Sequence, residues 1–156
     1  IESKTEQATL VPDAADAITS DSGWDTIKHH SFLSDVVEEL KGHGIRTSVF
    51  IDTNPERIDA AAKLGADCIE LYTEPYAQQF PSNPETAIAP FVKAAAYARS
   101  LGLMINAGHD LSLENLHFFN RQIPHLDEVS IGHALISDAL YFGLENTVQM
   151  YLSKLQ

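Results

Sequence analysis

Two Gly-His pairs follow predicted strands, where they could carry proton transfer and bind a phosphate. Gly108-His109 follows the run Met104–Asn106, and Gly132-His133 follows the run Glu128–Ile131. Histidine is the side chain best suited to proton transfer near neutral pH. A glycine and a polar residue that open a helix directly after a strand predict an anion site, because free N–H groups and the positive end of the helix dipole point outward there.

A carboxylate inside an apolar strand is the third candidate. Glu70 lies in the run Cys68–Tyr72, so its side chain must either face solvent or bear a large desolvation cost. A buried carboxyl would have a raised pKa, which suits proton transfer or stabilisation of a cationic intermediate. The sequence leaves two alternatives open: a purely structural ion pair for Glu70, and an exposed loop histidine without a role at His109.

Polar residues after the other predicted strands are more ambiguous. The loop Thr19–Asp25 carries hydroxyls, carboxylates and a glycine, so it is either a capped surface turn or a lip that binds a sugar-like substrate. Asp52 and Asn54 precede a helix start and are interpreted as caps. Asp110, beside His109, is open to the same interpretation.

The elements that must position these residues are indicated by five short apolar runs that alternate with helical patterns. Such runs are typical of strands in a parallel sheet. They are Ala8–Val11, Thr47–Ile51, Cys68–Leu71, Leu103–Asn106 and Glu128–Ile131. Spacing and end signals predict helices over 31–41, from Asn54 to near Gly65, from Asn83 to Ser100, from near Leu113, and over Ala134–Leu152 with an interruption around Gly143.

The alternation of helix, glycine, strand and polar loop predicts an α/β fold built from right-handed βαβ units. Five such units fit either a doubly wound sheet or part of a (β/α)8 barrel. Periodicity alone slightly favours the doubly wound sheet, which would make the chain a flavodoxin-like binding module without chemistry. The 156 residues predict a single domain over the whole chain.

Composition narrows the class of partner. The formal net charge is −12, and an acidic surface repels nucleic acid and anionic membranes, so neither is expected as a partner. The lone Cys68 cannot form an internal disulfide, and no apolar stretch approaches a membrane span. A cytoplasmic protein is therefore expected, and any phosphorylated substrate would have to be held by local N–H groups and a few cations against the acidic surface.

Schiff-base and metal chemistry have little support. A sugar-phosphate aldolase would normally carry a lysine at a strand end, whereas Lys63, Lys93 and Lys154 lie in or beside predicted helices. The histidines of the first predicted helix and its flanks fit no strong metal-binding spacing, so a solvated helical face is favoured for them. They are His29, His30 and His43. No metal is therefore expected. A different barrel enzyme that acts on sugar phosphates, such as an aldolase or an isomerase, is an alternative function.

The combination of motifs resembles the pyridoxine 5′-phosphate synthase family of vitamin B6 biosynthesis, over essentially the whole chain. The residues that carry the resemblance are Asn106–His109, Ile131–Ala134, Ser48–Asp52, Ile69-Glu70 with Thr73 and Tyr76-Ala77, and the Thr19…Asp25 loop. The resemblance implies a ring-forming transferase with a (β/α)8 (TIM) barrel, assembled as a homo-octamer. It implies condensation of 3-amino-2-oxopropyl phosphate with 1-deoxy-D-xylulose 5-phosphate to pyridoxine 5′-phosphate, inorganic phosphate and water, without a cofactor.

The same resemblance implies roles for single residues. His109 corresponds to the general acid, and Glu70 to the group that stabilises the transition state. Thr19 corresponds to a contact with the deoxyxylulose phosphate. The contacts to the amino-ketone phosphate are Asp110, Gly132 and His133. Because glycine is usual in the family at the position of Asp110, that contact is expected through the backbone.

Leu10-Val11-Pro12 resembles the fourth strand of the family barrel. We therefore expect a partial TIM barrel of about five parallel strands with helices, with the first three barrel strands absent from this chain. Those strands supply further catalytic and phosphate-binding residues in the family, so the chain alone is expected to be inactive.

Overall fold

The computed structural model describes residues 5–13 and 19–156, and within them five strands form one sheet. All five predicted strands are present, with bounds shifted by no more than two residues. They are β1 (Gln7–Leu10), β2 (Arg46–Ile51), β3 (Cys68–Leu71), β4 (Met104–Gly108) and β5 (Leu126–Ser130).

Seven helices lie in the described residues, and six of them match predicted segments. They are α1 (His30–Gly42), α2 (Pro55–Lys63), α3 (Glu74–Gln79), α4 (Pro84–Ser100), α5 (Leu116–Gln122), α6 (His133–Phe142) and α7 (Leu144–Ser153). The predicted caps are confirmed, because the Asn54 side chain accepts from the N–H groups of Glu56 and Arg57. Asn83 caps α4 in the same way. None of the described helices combines the length and the apolar character needed to cross a bilayer.

The sheet is parallel throughout, and its strand order follows the chain order β1-β2-β3-β4-β5. The α/β class is therefore confirmed. A doubly wound sheet reverses its strand order at a switch point. Because no reversal occurs among these five strands, the interpretation as a flavodoxin-like module is wrong.

One face of the sheet carries the hydrophobic core. Side chains alternate between the two faces of a strand, so Ile51, Ile69, Leu71 and Ile105 point to the same side. They are fully buried against apolar residues of α2, α4, α5 and α7. This face explains why the strands are apolar enough to be recognised in the sequence.

The opposite face is polar and strongly concave. Four strand spacings separate β1 from β5, which would place these edges roughly 19 Å apart in a flat sheet. Nevertheless, Gln7 Nε2 on β1 donates to Glu128 Oε1 on β5 over 3.2 Å, and Arg46 Nη2 lies 3.4 Å from Glu128 Oε2. The sheet must therefore curl enough for side chains of its two edge strands to come into contact across this face, which we call the concave face.

Candidate active site

Glu70 lies in the middle of the concave face. It is paired with Phe50 on β2 and with Asn106 on β4, which is in turn paired with Glu128 on β5. Paired residues of neighbouring strands point to the same side of a sheet, so these four side chains form one row. Glu70 is only 6% exposed, and Thr9 on β1 donates to its Oε2 over 3.2 Å.

Burial raises the pKa of the Glu70 carboxyl above its ordinary value. The hydrogen bond from Thr9 and the proximity of His109 oppose that shift, and the charge of Glu128 adds to it. Among the described residues no cation forms an ion pair with Glu70, which disfavours a purely structural pair. The result is a carboxyl group that can hold a proton closer to neutral pH than an exposed glutamate can.

His109 follows β4 directly, in a conformation that few residues adopt. Its φ is 54°, in the left-handed region that histidine enters more often than most side chains. Its Nε2 lies 2.7 Å from Thr19 Oγ1, and its Nδ1 lies 3.1 Å from Asp110 Oδ2. Because a carboxylate only accepts hydrogen bonds, Nδ1 carries the proton in the neutral ring and Nε2 faces Thr19.

The backbone of β4 and β5 fixes where His109 stands. The strands approach so closely at Gly108 that a Cβ atom there would lie 2.0 Å from the carbonyl oxygen of Ser130. The His109 N–H donates to that same oxygen over 2.9 Å. The Thr73 hydroxyl donates to the Gly108 carbonyl and accepts from the Asp110 N–H over 3.2 Å. Position 108 therefore requires glycine, because any side chain there would clash with the Ser130 backbone.

Gly132 and His133 open α6 beside His109. The ring centroids of His133 and His109 lie 6.0 Å apart. Gly132 is the N-cap without any side-chain cap, and the helical hydrogen bonding begins with the Ile136 N–H, which donates to the Gly132 carbonyl over 3.0 Å. The N–H groups of the first helical turn have no intrahelical partner, and a Cβ on Gly132 would meet nothing within 4 Å, so an anion can approach them.

The loop Thr19–Asp25 divides into two parts. Thr19 reaches His109, whereas the later residues pack on the end of β2, where the Trp24 N–H donates to the Phe50 carbonyl over 2.8 Å. Asp25 accepts from the Lys28 N–H over 3.0 Å. The interpretation of this loop as a capped turn therefore holds for its second part.

Asp52, the other acidic residue at a strand end, is engaged in local structure. It accepts from the Asn54 N–H over 3.0 Å and pairs with Arg57 over 2.5 Å. The interpretation as a helix cap is confirmed for Asn54, whereas Asp52 binds the backbone just before the helix and the Arg57 side chain. Neither residue belongs to the group around His109.

Three contacts at the site go beyond what the sequence pattern predicts. The sequence predicts Thr9 only as part of a strand. Because side chains alternate along β1, this alternation is the signal that could have placed Thr9 on the same face as Glu70. Thr73 carried no assigned role. Asp110 was expected to act through its backbone, but its N–H is already donated to Gly108 and Thr73, and its carboxylate faces His109.

Other candidate chemistries lie away from the concave face. Lys63 in α2 pairs with Asp59 over 2.7 Å, and both line a cleft of about 660 Å³ between the outer helices that also includes His30. Within residues 5–13 and 19–156, no three His, Cys, Asp or Glu side chains gather as metal ligands would. The residues with suitable acid-base chemistry therefore meet at the carboxyl ends of the strands.

Comparison with known proteins adds independent information. The family model described as "Pyridoxal phosphate biosynthesis protein PdxJ" matches residues 1–156. A pyridoxine 5′-phosphate synthase of Cytophaga hutchinsonii is 61% identical over 153 residues, which are 98% of this chain and 64% of the relative. That of Bacteroides thetaiotaomicron is 62% identical over 95% of this chain and 62% of the relative. That of Christiangramia forsetii is 56% identical over 100% of this chain and 66% of the relative. The chain thus spans slightly less than two-thirds of the length of these curated relatives.

Proposed function

Because the chain belongs to the pyridoxal phosphate biosynthesis protein PdxJ family, we propose that its function is that of a pyridoxine 5′-phosphate synthase. The reaction is the condensation of 3-amino-2-oxopropyl phosphate with 1-deoxy-D-xylulose 5-phosphate to pyridoxine 5′-phosphate, phosphate and water. The observation that carries this proposal is the meeting of His109, Thr19 and His133 at the strand ends, beside the buried Glu70.

The finer fold follows from the same proposal. We propose that residues 1–156 are one domain, the C-terminal portion of a (β/α)8 barrel, and that the five strands are consecutive strands of it. The unbroken parallel order and the curl of the sheet support this arrangement. In such barrels, the active site lies at the carboxyl ends of the strands, which is where His109 and Gly132 lie.

Each candidate residue receives a role from its surroundings. His109 is the general acid, because its Nδ1 is fixed by Asp110 and its Nε2 points to the side where Thr19 meets the substrate. Glu70 stabilises the cationic imine-like transition state from a site where little water screens its charge. Thr19 contacts the deoxyxylulose phosphate.

The amino-ketone phosphate is assigned to the beginning of α6. Gly132 and His133 offer backbone N–H groups and an imidazole to the phosphate, and the helix dipole compensates locally for the acidic surface. Asp110 remains part of this subsite in the proposal. Its N–H reaches the phosphate only if it gives up its hydrogen bonds to the Gly108 carbonyl and to the Thr73 hydroxyl.

The proposed chemistry suits these groups. Imine formation, dehydration, loss of phosphate and aromatising deprotonation each require a proton transfer next to a carbonyl or an imine. A histidine and a carboxyl of raised pKa, held on the same side of one sheet, can carry such transfers without a metal or an organic cofactor.

The location and assembly of the protein also belong to the proposal. We propose a cytoplasmic enzyme that assembles as a homo-octamer, and that binds neither nucleic acid nor membranes. Large apolar side chains exposed on α6 and α7 support burial of that surface in the assembled protein. They include Ile136, Leu140, Tyr141, Phe142 and Leu144. Light scattering of the full-length protein should give the mass of eight subunits, and a monomer would contradict this part.

The function is tested by incubating the full-length protein with both substrates and measuring pyridoxine 5′-phosphate. We expect turnover by the wild type and a loss of about 10²–10⁴-fold in kcat for His109→Ala, with little change in KM. His43→Ala is the matched control, because His43 is exposed at the end of α1. Absence of product from the wild type would refute the function, and normal turnover with weakened binding in His109→Ala would refute the general-acid role.

A further inference from the structure

Asn106 is an amide buried on the concave face of the sheet. The residue is 1% exposed, and its Nδ2 finds no acceptor among the described residues. Buried polar groups are nearly always hydrogen-bonded, because an unpaired donor away from water destabilises the fold. An exception of this kind needs a reason.

The position of Asn106 suggests that reason. It stands in the row on the concave face between Glu70 on β3 and Glu128 on β5, and three residues before His109. In the described part of the chain two other buried side-chain atoms lack partners, Ser48 Oγ and Trp24 Nε1, but neither adjoins Glu70 in this row. Ser48 pairs instead with Cys68, one row closer to the amino ends of the strands.

A second buried asparagine shows what a structural role looks like. Asn115 is 5% exposed, and its Oδ1 accepts from the Ser112 N–H over 2.9 Å. Its Nδ2 donates to the Asp110 carbonyl over 3.2 Å. An asparagine that supports the fold, Asn115, thus makes hydrogen bonds with both ends of its amide. At Asn106, which faces the proposed substrate site, the amide Nδ2 makes none to the described residues.

We propose that Asn106 is a substrate-contacting residue. Its side-chain amide donates a hydrogen bond to a carbonyl or hydroxyl oxygen of 1-deoxy-D-xylulose 5-phosphate, which binds between Glu70 and His109. The inference rests on the proposed function and extends it by one residue. An amide suits this position because it is a donor that stays neutral between two carboxylates. The substrate oxygen supplies the acceptor that the protein does not.

The test is Asn106→Leu in the full-length protein, because leucine has a similar size and no polar atom. Asn106→Ala is the second variant, in case leucine is too large, and Asn115→Leu is the matched control for stability. The melting temperature, kcat and KM with both substrates, and calorimetric binding of 1-deoxy-D-xylulose 5-phosphate are measured for each. Removing an unpaired buried group should leave the melting temperature of Asn106→Leu unchanged or raise it by about 2–4 °C.

The Asn106 variants should lose catalytic efficiency without losing thermal stability. We expect kcat/KM of Asn106→Leu and Asn106→Ala to fall at least about tenfold, as the loss of one hydrogen bond to substrate implies. Asn115→Leu should instead melt several degrees lower, because it leaves Ser112 N–H and the Asp110 carbonyl unpaired.

Three results would overturn the inference. The first is a melting temperature of Asn106→Leu that falls as far as that of Asn115→Leu, which would make Asn106 structural. The second is unchanged kcat/KM and binding. The third is a shifted acid limb of the pH profile with an unchanged plateau, which would mean that Asn106 serves Glu70. If the wild type neither binds nor converts the substrates, the proposed function itself is wrong and the inference falls with it.

Discussion

The substitution Glu70→Gln tests the buried carboxyl, because it removes the charge and keeps the shape of the side chain. Burial raises the pKa of Glu70 above its ordinary value of 4.5, so the folded protein holds this proton more tightly than the unfolded chain does. The ionised carboxylate therefore destabilises the folded state, and this penalty has its full size at pH values above the folded-state pKa. That penalty disappears as the pH falls below about 4.5.

The expected magnitude follows from this linkage. Each unit by which the pKa is raised corresponds to about 1.4 kcal/mol of lost stability at high pH. In a chain of this size, 1 kcal/mol shifts the melting temperature by about 2–4 °C. The amide oxygen of glutamine can still accept from Thr9, so the hydrogen bond at Oε2 is kept. We therefore expect Glu70→Gln to melt above the wild type at pH 8, by about 3–6 °C for each unit by which the pKa is raised, while turnover is lost.

The assay is thermal unfolding at pH 8, 6 and 4.5 for the wild type, Glu70→Gln and Glu128→Gln. The Glu128 side chain is 42% exposed and pairs with Arg46, so its neutralisation should change the melting temperature by less than about 2 °C, as is usual for exposed ion pairs. The difference between Glu70→Gln and the wild type should shrink toward pH 4.5. An equal or lower melting temperature of Glu70→Gln at pH 8, or a difference that does not depend on pH, would refute the reasoning.

Two further substitutions test the geometry around His109. Gly108→Ala should force β4 away from Ser130 and lower the free energy of unfolding in denaturant by about 1–3 kcal/mol. The control is Gly42→Ala, whose Cβ meets nothing within 4 Å and which should not destabilise the protein. Equal stability of the two variants would contradict the close approach of β4 and β5. Asp110→Asn keeps an acceptor for the His109 Nδ1 proton, and Asp110→Gly removes it, so kcat should fall more in the glycine variant with KM little changed. The reverse order in kcat measurements would mean that the carboxylate does not orient the imidazole.

The strands and most helices could be predicted because their signals are local. Asparagine followed by proline marks the starts of α2 and α4, and Gly143, with φ of 79°, separates α6 from α7. Helix α3 was missed because six residues are too few to show helical periodicity. Its place is fixed instead by Tyr76, which is buried against the rings of Phe80, Phe91 and Phe119.

The sequence singles out candidate residues for the site but not the contacts between them. Glu70, His109 and Gly132-His133 stood out because polar groups at strand ends share one edge of a parallel sheet. The curl that joins Gln7 to Glu128 links residues 121 positions apart, and no local pattern signals it. The unpaired amide of Asn106 is likewise visible only when its neighbours on β3 and β5 are known.

The convergence of Glu70, His109 and α6 on one ligand is tested most directly by a crystal structure of the full-length protein with 1-deoxy-D-xylulose 5-phosphate. We expect the ligand on the concave face, with its carbon skeleton between Glu70 and His109 and with Thr19 and Asn106 within hydrogen-bonding distance. A ligand bound in the outer cleft beside His30 and Lys63, or a concave face left empty at saturating ligand, would contradict the proposed site.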